Sequence, residues 1–182
     1  MESKTVENLT TDINKLSVDT VNYKKISYYK IDVELNRLII LTILKNYYNI
    51  KIDDKIYDKD SIITENDIKD KIIINDVEYM LNKEFHITLL YVGRKKNDNI
   101  EILENVLNNN VEIKIVQLGL SPNFITLKVI FITDNIPYFG NEIKHITVAI
   151  NGKNKAKDSP SVFIDGNINE LDINVHGIIK RC

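Results

Sequence analysis

Two stretches of this chain spell the same word in the same setting. Phe85-His86-Ile87-Thr88-Leu89-Leu90 and Lys144-His145-Ile146-Thr147-Val148-Ala149 each place His-Ile-Thr inside an apolar, β-prone run. Side chains two apart on a strand project to the same face. His86 with Thr88, and His145 with Thr147, therefore each present an imidazole and a hydroxyl together. Ile87, Leu89, Ile146 and Val148 point the other way and are expected to be buried under helices. Such strands demand a sheet that is polar on one face and packed on the other. If the two lie side by side or face each other, two imidazoles and two hydroxyls converge on one pocket.

That set suits phosphoryl chemistry. In-line displacement at phosphorus needs a base for the nucleophile on one side and an acid for the leaving oxygen on the other. Two histidines near an ordinary pKa of about 6.5 can hold opposite protonation states at neutral pH. Threonine hydroxyls can donate to the non-bridging oxygens and stabilise their developing charge. The reading requires no metal and no cofactor. A lone histidine in an apolar strand is usually a hydrogen-bonded structural residue, so it is the duplication that argues for function. The third histidine, His176 in Val175-His176-Gly177, has no such context and reads as structural.

The rest of the chain narrows the class. There is no Gly-rich phosphate loop, no Cys/His metal cluster and no Gly-x-Ser-x-Gly elbow. A net charge of −2 does not supply the broad positive field of proteins that grip long nucleic-acid backbones, so a small phosphate ligand suits better. The longest apolar run, Leu38 to Leu44, is interrupted by Thr42 and is far short of the roughly 18 residues of a membrane span. The opening residues Met1 to Thr5 lead into more polar sequence, so no secretory signal is expected. Cys182 is the single cysteine, which excludes a disulfide framework and fits a cytoplasmic protein. Abundant Ile, Asn and Lys suggest an AT-rich genome.

At 182 residues the chain is expected to be one domain over 1–182, with 1–25 a loosely held arm or a first strand, and both motifs within 81–165. Helical spacing from Val33 to Tyr48, with Asp32 as N-cap, predicts a helix packed on a sheet. Ser61 to Asp70 reads as a short helix, and Lys71–Ile74 with Val77–Leu81 as a hairpin turning at Asn75-Asp76. Glu84 to Val92 and Ile143 to Ile150 are the motif strands. Asp98 with Glu101 forms a capping-box pattern ahead of a helix ending near Asn108. Val111 to Leu118, Phe124 to Phe131, Ser161 to Ile164 and Leu171 to Ile179 complete the strands. The fold class is α+β, mostly antiparallel.

Two copies of His-x-Thr, 59 residues apart (145 minus 86), resemble the signature of the 2H phosphoesterase superfamily. Within it, Phe85 to Ser159 is similar to the cyclic phosphodiesterase domains of fungal and plant tRNA ligases and their stand-alone and viral relatives. The similarity lies in Leu90-Tyr91-Val92-Gly93 after the first motif, Pro137-Tyr138-Phe139-Gly140-Asn141 before the second, and Asn151-Gly152-Lys153 to Lys157-Asp158-Ser159 after it. The resemblance implies a bilobal α+β 2H phosphoesterase (LigT-like) fold, with two pseudo-symmetric antiparallel sheets flanking a central cleft and helices outside. It also implies opening of 2′,3′-cyclic phosphates at RNA ends, or cleavage of 2′-5′ oligoadenylate or cyclic nucleotides. His86, Thr88, His145 and Thr147 would be the catalytic groups. Which histidine is base and which acid is open in the sequence; we expect His145 as base and His86 as acid. The nucleotidyl-transferase and kinase motifs of a complete ligase are absent.

Around the motifs, Arg94, Lys155 and Lys157 are candidates for contacting nucleotide phosphates, and Tyr91 and Tyr138 for stacking on a base. The expected partner is a nucleotide or an RNA end, with no membrane and no obligate protein partner. For a viral enzyme the substrate would be a messenger of the host cytoplasm. The alternative is a non-catalytic RNA-end or nucleotide-binding module that keeps the pocket.

Overall fold

Strands dominate the computed structural model, which describes residues 26–92 and 98–182. The expected arm at 1–25 lies outside the described residues. In chain order the elements are β1 (Tyr28–Val33), α1 (Arg37–Lys45), β2 (Ile50–Ile52), β3 (Lys55–Tyr57), β4 (Lys71–Ile74), β5 (Val77–Leu81), β6 (His86–Tyr91), α2 (Asn99–Glu104), β7 (Asn110–Leu120), β8 (Phe124–Phe131), β9 (His145–Ile150), α3 (Val162–Asp165) and β10 (Asn167–Arg181). The fold is α+β, with few helices.

Among the described residues the strands form one sheet in the order β3-β2-β4-β5-β9-β8-β7-β10-β1-β6, every pairing antiparallel. This corrects the two separate sheets expected above: β5 pairs with β9 through Met80 and Leu81, so hydrogen bonding runs unbroken from end to end. The motif strand β6 is one edge and β9 sits mid-sheet, with four strands between them. The two nevertheless touch, so the sheet curls until its edge returns to its middle. Register shifts in the β1/β6, β7/β10, β7/β8 and β8/β9 pairs supply the local bending that such curvature needs.

One core cluster lies behind the sheet. The buried side of α1 contributes Ile40, Leu41, Ile43 and Leu44, and α2 contributes Ile100 and Leu103. Ile87, Leu89, Ile146 and Val148 join the same cluster, each fully buried. Among the described residues, no helix is long and apolar enough to cross a membrane.

Several local expectations give way to tertiary pairing. Asp32 is not a helix cap but a strand residue opposite His86, and the Val33 amide donates to the Phe85 carbonyl. The helix starts at Arg37, capped by Asn36, whose side chain accepts from the Ile39 amide at 2.9 Å. The short helix expected at Ser61 to Asp70 shrinks to a 3-10 turn at Glu65–Asp67, although Thr64 and Asp67 do form a capping box. Asp98 makes no side-chain cap for α2. Ser161 to Ile164, expected as a strand, instead runs into α3. The Asn75-Asp76 hairpin forms as expected, both residues taking the left-handed conformation with φ of 51° and 64°, as a two-residue turn requires.

Candidate functional site

The two motif strands are built alike to the level of single residues. Along β6 and β9 the His and Thr positions are half-buried and the Ile between them fully buried. Two consecutive buried residues then follow the Thr: Leu89-Leu90 and Val148-Ala149. Strict alternation forbids that, and the register explains it. Tyr29 pairs with Leu90 but Lys30 with Thr88; Ile125 pairs with Ala149 but Thr126 with Thr147. Leu89 and Val148 are thus the extra residues of two bulges at equivalent positions, a device that re-aims neighbouring side chains. The carbonyl of each is taken by an amide from outside the pairing: Phe139 donates to Leu89 at 2.8 Å, and Asn82 to Val148 at 2.9 Å.

The contact of β6 with β9 brings both motifs to one cavity of about 700 Å³, lined by His86, Thr88, His145 and Thr147 together. The size lies in the range of small-molecule sites, roughly 300–1,000 Å³. Tyr91, Tyr138, Lys155 and Lys157 line it as well. Tyr91 stands at the mouth, 74% exposed. Tyr138 is half-buried, with its hydroxyl 3.4 Å from the Ile143 carbonyl, and burial pushes its pKa up to about 12. Arg94 lies outside the described residues. Among the described residues, no group of three or more His, Cys, Asp or Glu side chains is placed to hold a metal ion.

The two imidazoles are supported differently. His145 Nδ1 lies 2.8 Å from the Ile143 carbonyl, which can only accept, so Nδ1 carries a proton. In the neutral ring Nε2 is then a bare lone pair. Among the described residues, His86 Nδ1 is buried without a partner. A buried N–H with no acceptor is costly, so the neutral ring keeps its proton on Nε2. The His86 and Tyr28 rings also lie side by side, tilted at 31° with centroids 5.7 Å apart. Both pKa values are held below the ordinary imidazole value. For His145 burial is the cause, opposed by the Ile143 hydrogen bond. For His86 burial comes first, reinforced by the Lys30 ammonium and weakly by His145, against the pull of Asp32 and Glu84.

Lys30 explains part of that asymmetry. It is 5% exposed, directly opposite Thr88 on the same face of the sheet, and bridges Asp32 at 3.5 Å and Glu84 at 3.3 Å. Burial works against its charge, but Asp32 and its neighbours outweigh that and raise its pKa. Asp32 is shared with Lys180 at 2.6 Å. In the first motif Lys30 thus stands opposite Thr88 and Asp32 opposite His86, whereas in the second Thr126 stands opposite Thr147 and Lys128 opposite His145.

Several lining residues escape motif reasoning. Asn82 donates from its side chain to the Thr147 carbonyl at 2.7 Å, and Arg37 in turn grips the carbonyls of Asn82 at 3.0 Å and Leu81 at 2.9 Å. Phe139, Gly140 and Asn141 belong to the segment between β8 and β9 that crosses the cavity. Asn141 reaches the Lys157 carbonyl at 3.4 Å, while Gly140 is pressed against β6: a Cβ there would lie 2.9 Å from the Thr88 carbonyl oxygen. The signal for this segment was the phrase Pro137 to Asn141 itself. For Asn82 no local signal exists, because its role depends on β5 pairing with β9. No protein-family model matches the chain, and no curated protein matches it.

Proposed function

We propose that the chain is a metal-independent phosphodiesterase acting on RNA-derived nucleotides: 2′,3′-cyclic phosphates, 2′-5′ oligoadenylate or cyclic dinucleotides. The observation that carries this reading is the meeting of both His-x-Thr pairs in one cavity. The matched bulges and matched amide contacts support a further reading, that the curled sheet corresponds to the two pseudo-symmetric halves of a 2H phosphoesterase.

The Ile143 hydrogen bond favours His145 as the base. With its proton fixed on Nδ1, neutral His145 offers Nε2 to water as general base. His86 is left as the acid, and as the imidazolium it presents an N–H from Nε2 to the departing ribose oxygen. Water oxygen bonds to phosphorus, its proton passes to His145, one phosphorus–ribose oxygen bond breaks, and His86 delivers a proton to that oxygen. A bound phosphodiester brings a negative charge beside His86, which favours the imidazolium it needs. Thr88 and Thr147 donate to the non-bridging oxygens. Tyr91, Tyr138 and Phe139 offer aromatic surface for a base, and Lys155 and Lys157 add positive charge to the lining.

The test is turnover in EDTA of a 2′,3′-cyclic nucleotide, 2′-5′ oligoadenylate and a cyclic dinucleotide. The wild type should hydrolyse at least one. His86→Ala and His145→Ala should each lose at least about 100-fold, the usual weight of a general acid or base, with Thr88→Ala and Thr147→Ala losing less. Failure of the wild type on all three contradicts the proposal. Binding without turnover, undiminished in either histidine variant, would identify a non-catalytic nucleotide-binding module instead.

A further inference from the structure

The two threonines of the site are not equivalent. Thr147 Oγ1 lies 2.8 Å from Ser159 Oγ and 3.4 Å from the Ala156 carbonyl. Ser159 is fully buried although it belongs to a lysine-bearing surface segment, the 3-10 turn Ala156–Ser161. Its own carbonyl accepts from Thr126 Oγ1 at 3.4 Å, and Thr126, also fully buried, is the β8 residue opposite Thr147. Ser159 is therefore buried against the sheet, and its one short side-chain contact is with the motif hydroxyl. Among the described residues nothing comparable holds the first half-site, where Thr88 faces Lys30, a side chain already engaged by two carboxylates.

We propose that Ser159 is a positioning residue that turns the Thr147 proton toward bound phosphate. The inference rests on the phosphodiesterase reading above. A hydroxyl carries one proton and accepts two, and a fully buried one must place that proton. If Ser159 donates to Thr147 Oγ1, the Thr147 proton has to leave in another direction. Its other partner, the Ala156 carbonyl, is at the long limit of a hydrogen bond and is readily exchanged for a phosphate oxygen. The reverse arrangement spends the Thr147 proton on Ser159 and leaves the Ser159 proton without a partner in a dry place, the costlier outcome. Accepting from Ser159 also polarises the Thr147 hydroxyl as a donor. Ser159 touches no substrate atom; it acts through Thr147.

A double-mutant cycle on hydrolysis of a 2′,3′-cyclic nucleotide tests this. Ser159→Ala should lower kcat by about tenfold with little change in KM, since an interaction strengthened only in the transition state is lost. In a Thr147→Val background the same change should cost less than about twofold, because the residue it acts through is gone. Ser159→Cys, close in size and a weak donor, should fall between wild type and Ser159→Ala, and it replaces Ser159→Ala in the cycle if that variant melts early. An equal loss in both backgrounds would show that Ser159 only props the loop, and no loss in the wild-type background would show that it does nothing; either result overturns the inference while hydrolysis by the wild type upholds the parent reading. No hydrolysis by the wild type overturns both.

Discussion

His86 sits where opposing charges meet, and its pH behaviour follows from them. Lys30 and Asp32 face it from β1, Glu84 lies just before β6, His145 lies across the cavity, and the Tyr28 ring lies beside its own. Burial prevails at both imidazoles, reinforced by Lys30 at His86, so both are held below the ordinary value of about 6.5. On the proposed mechanism the base must be neutral and the acid protonated, so the acid limb of kcat/KM should report His145 and the alkaline limb His86, both shifted to the acid side. A bound phosphate's negative charge should raise the His86 value, so the alkaline limb of kcat should lie higher than that of kcat/KM. Lys30→Met removes a cation and leaves Asp32 and Glu84 in place; the alkaline limb of kcat/KM should then move upward, and a downward shift would contradict the assignment. Gly140 makes a different prediction. In Gly140→Ala the new methyl meets the Thr88 carbonyl at 2.9 Å and the Tyr138 ring at 2.8 Å, and backbone on one side leaves little room to yield. Urea denaturation should show a loss of about 1–3 kcal/mol, accompanied by lower activity as the crossing segment is pushed off β6.

Elements whose signals are local were legible; those fixed by distant partners were not. The Asn75-Asp76 hairpin needs two left-handed residues, and the sequence names them. The motif strands follow from their apolar, β-prone runs. Their bulges do not, because Leu89 and Val148 are extra only by reference to β1 and β8. Asp32 looked like a helix cap because it precedes an amphipathic run, yet pairing with β6 and β10 holds it extended, and Asn36 four residues on takes the role. The β2/β3 hairpin, Ile50–Ile52 with Lys55–Tyr57, went unread because each strand is three residues long and its turn residue, Asp53 at φ 51°, is one acidic residue among many. α1 matters to the site through its first residue. Arg37 clamps two carbonyls beside the cavity and pairs with Asp70 at 2.6 Å. Arg37→Lys keeps the charge but loses the fork, and should cost about 1–3 kcal/mol in urea denaturation, with KM rising as Asn82 loosens from β9. A variant as stable as wild type would show that the clamp is not needed.

At the scale of the molecule, the sequence could say that two motif strands exist but not how one sheet brings them together. Four strands separate β6 from β9 in hydrogen-bonding order, and only the curl of the sheet closes that gap. Curvature is a sum of twist and bulges over many residues, none of which announces it locally. The pocket is therefore a property of the whole sheet, and the segment from Pro137 to Asn141 spans it by binding Leu89 on one side and Lys157 on the other. The most direct test of the central claim is a crystal structure with a nucleoside 2′- or 3′-monophosphate bound. One phosphate should receive hydrogen bonds from Nε2 of both His86 and His145 and from the hydroxyls of Thr88 and Thr147. A phosphate held by one motif alone, or seated outside the cavity, would contradict it.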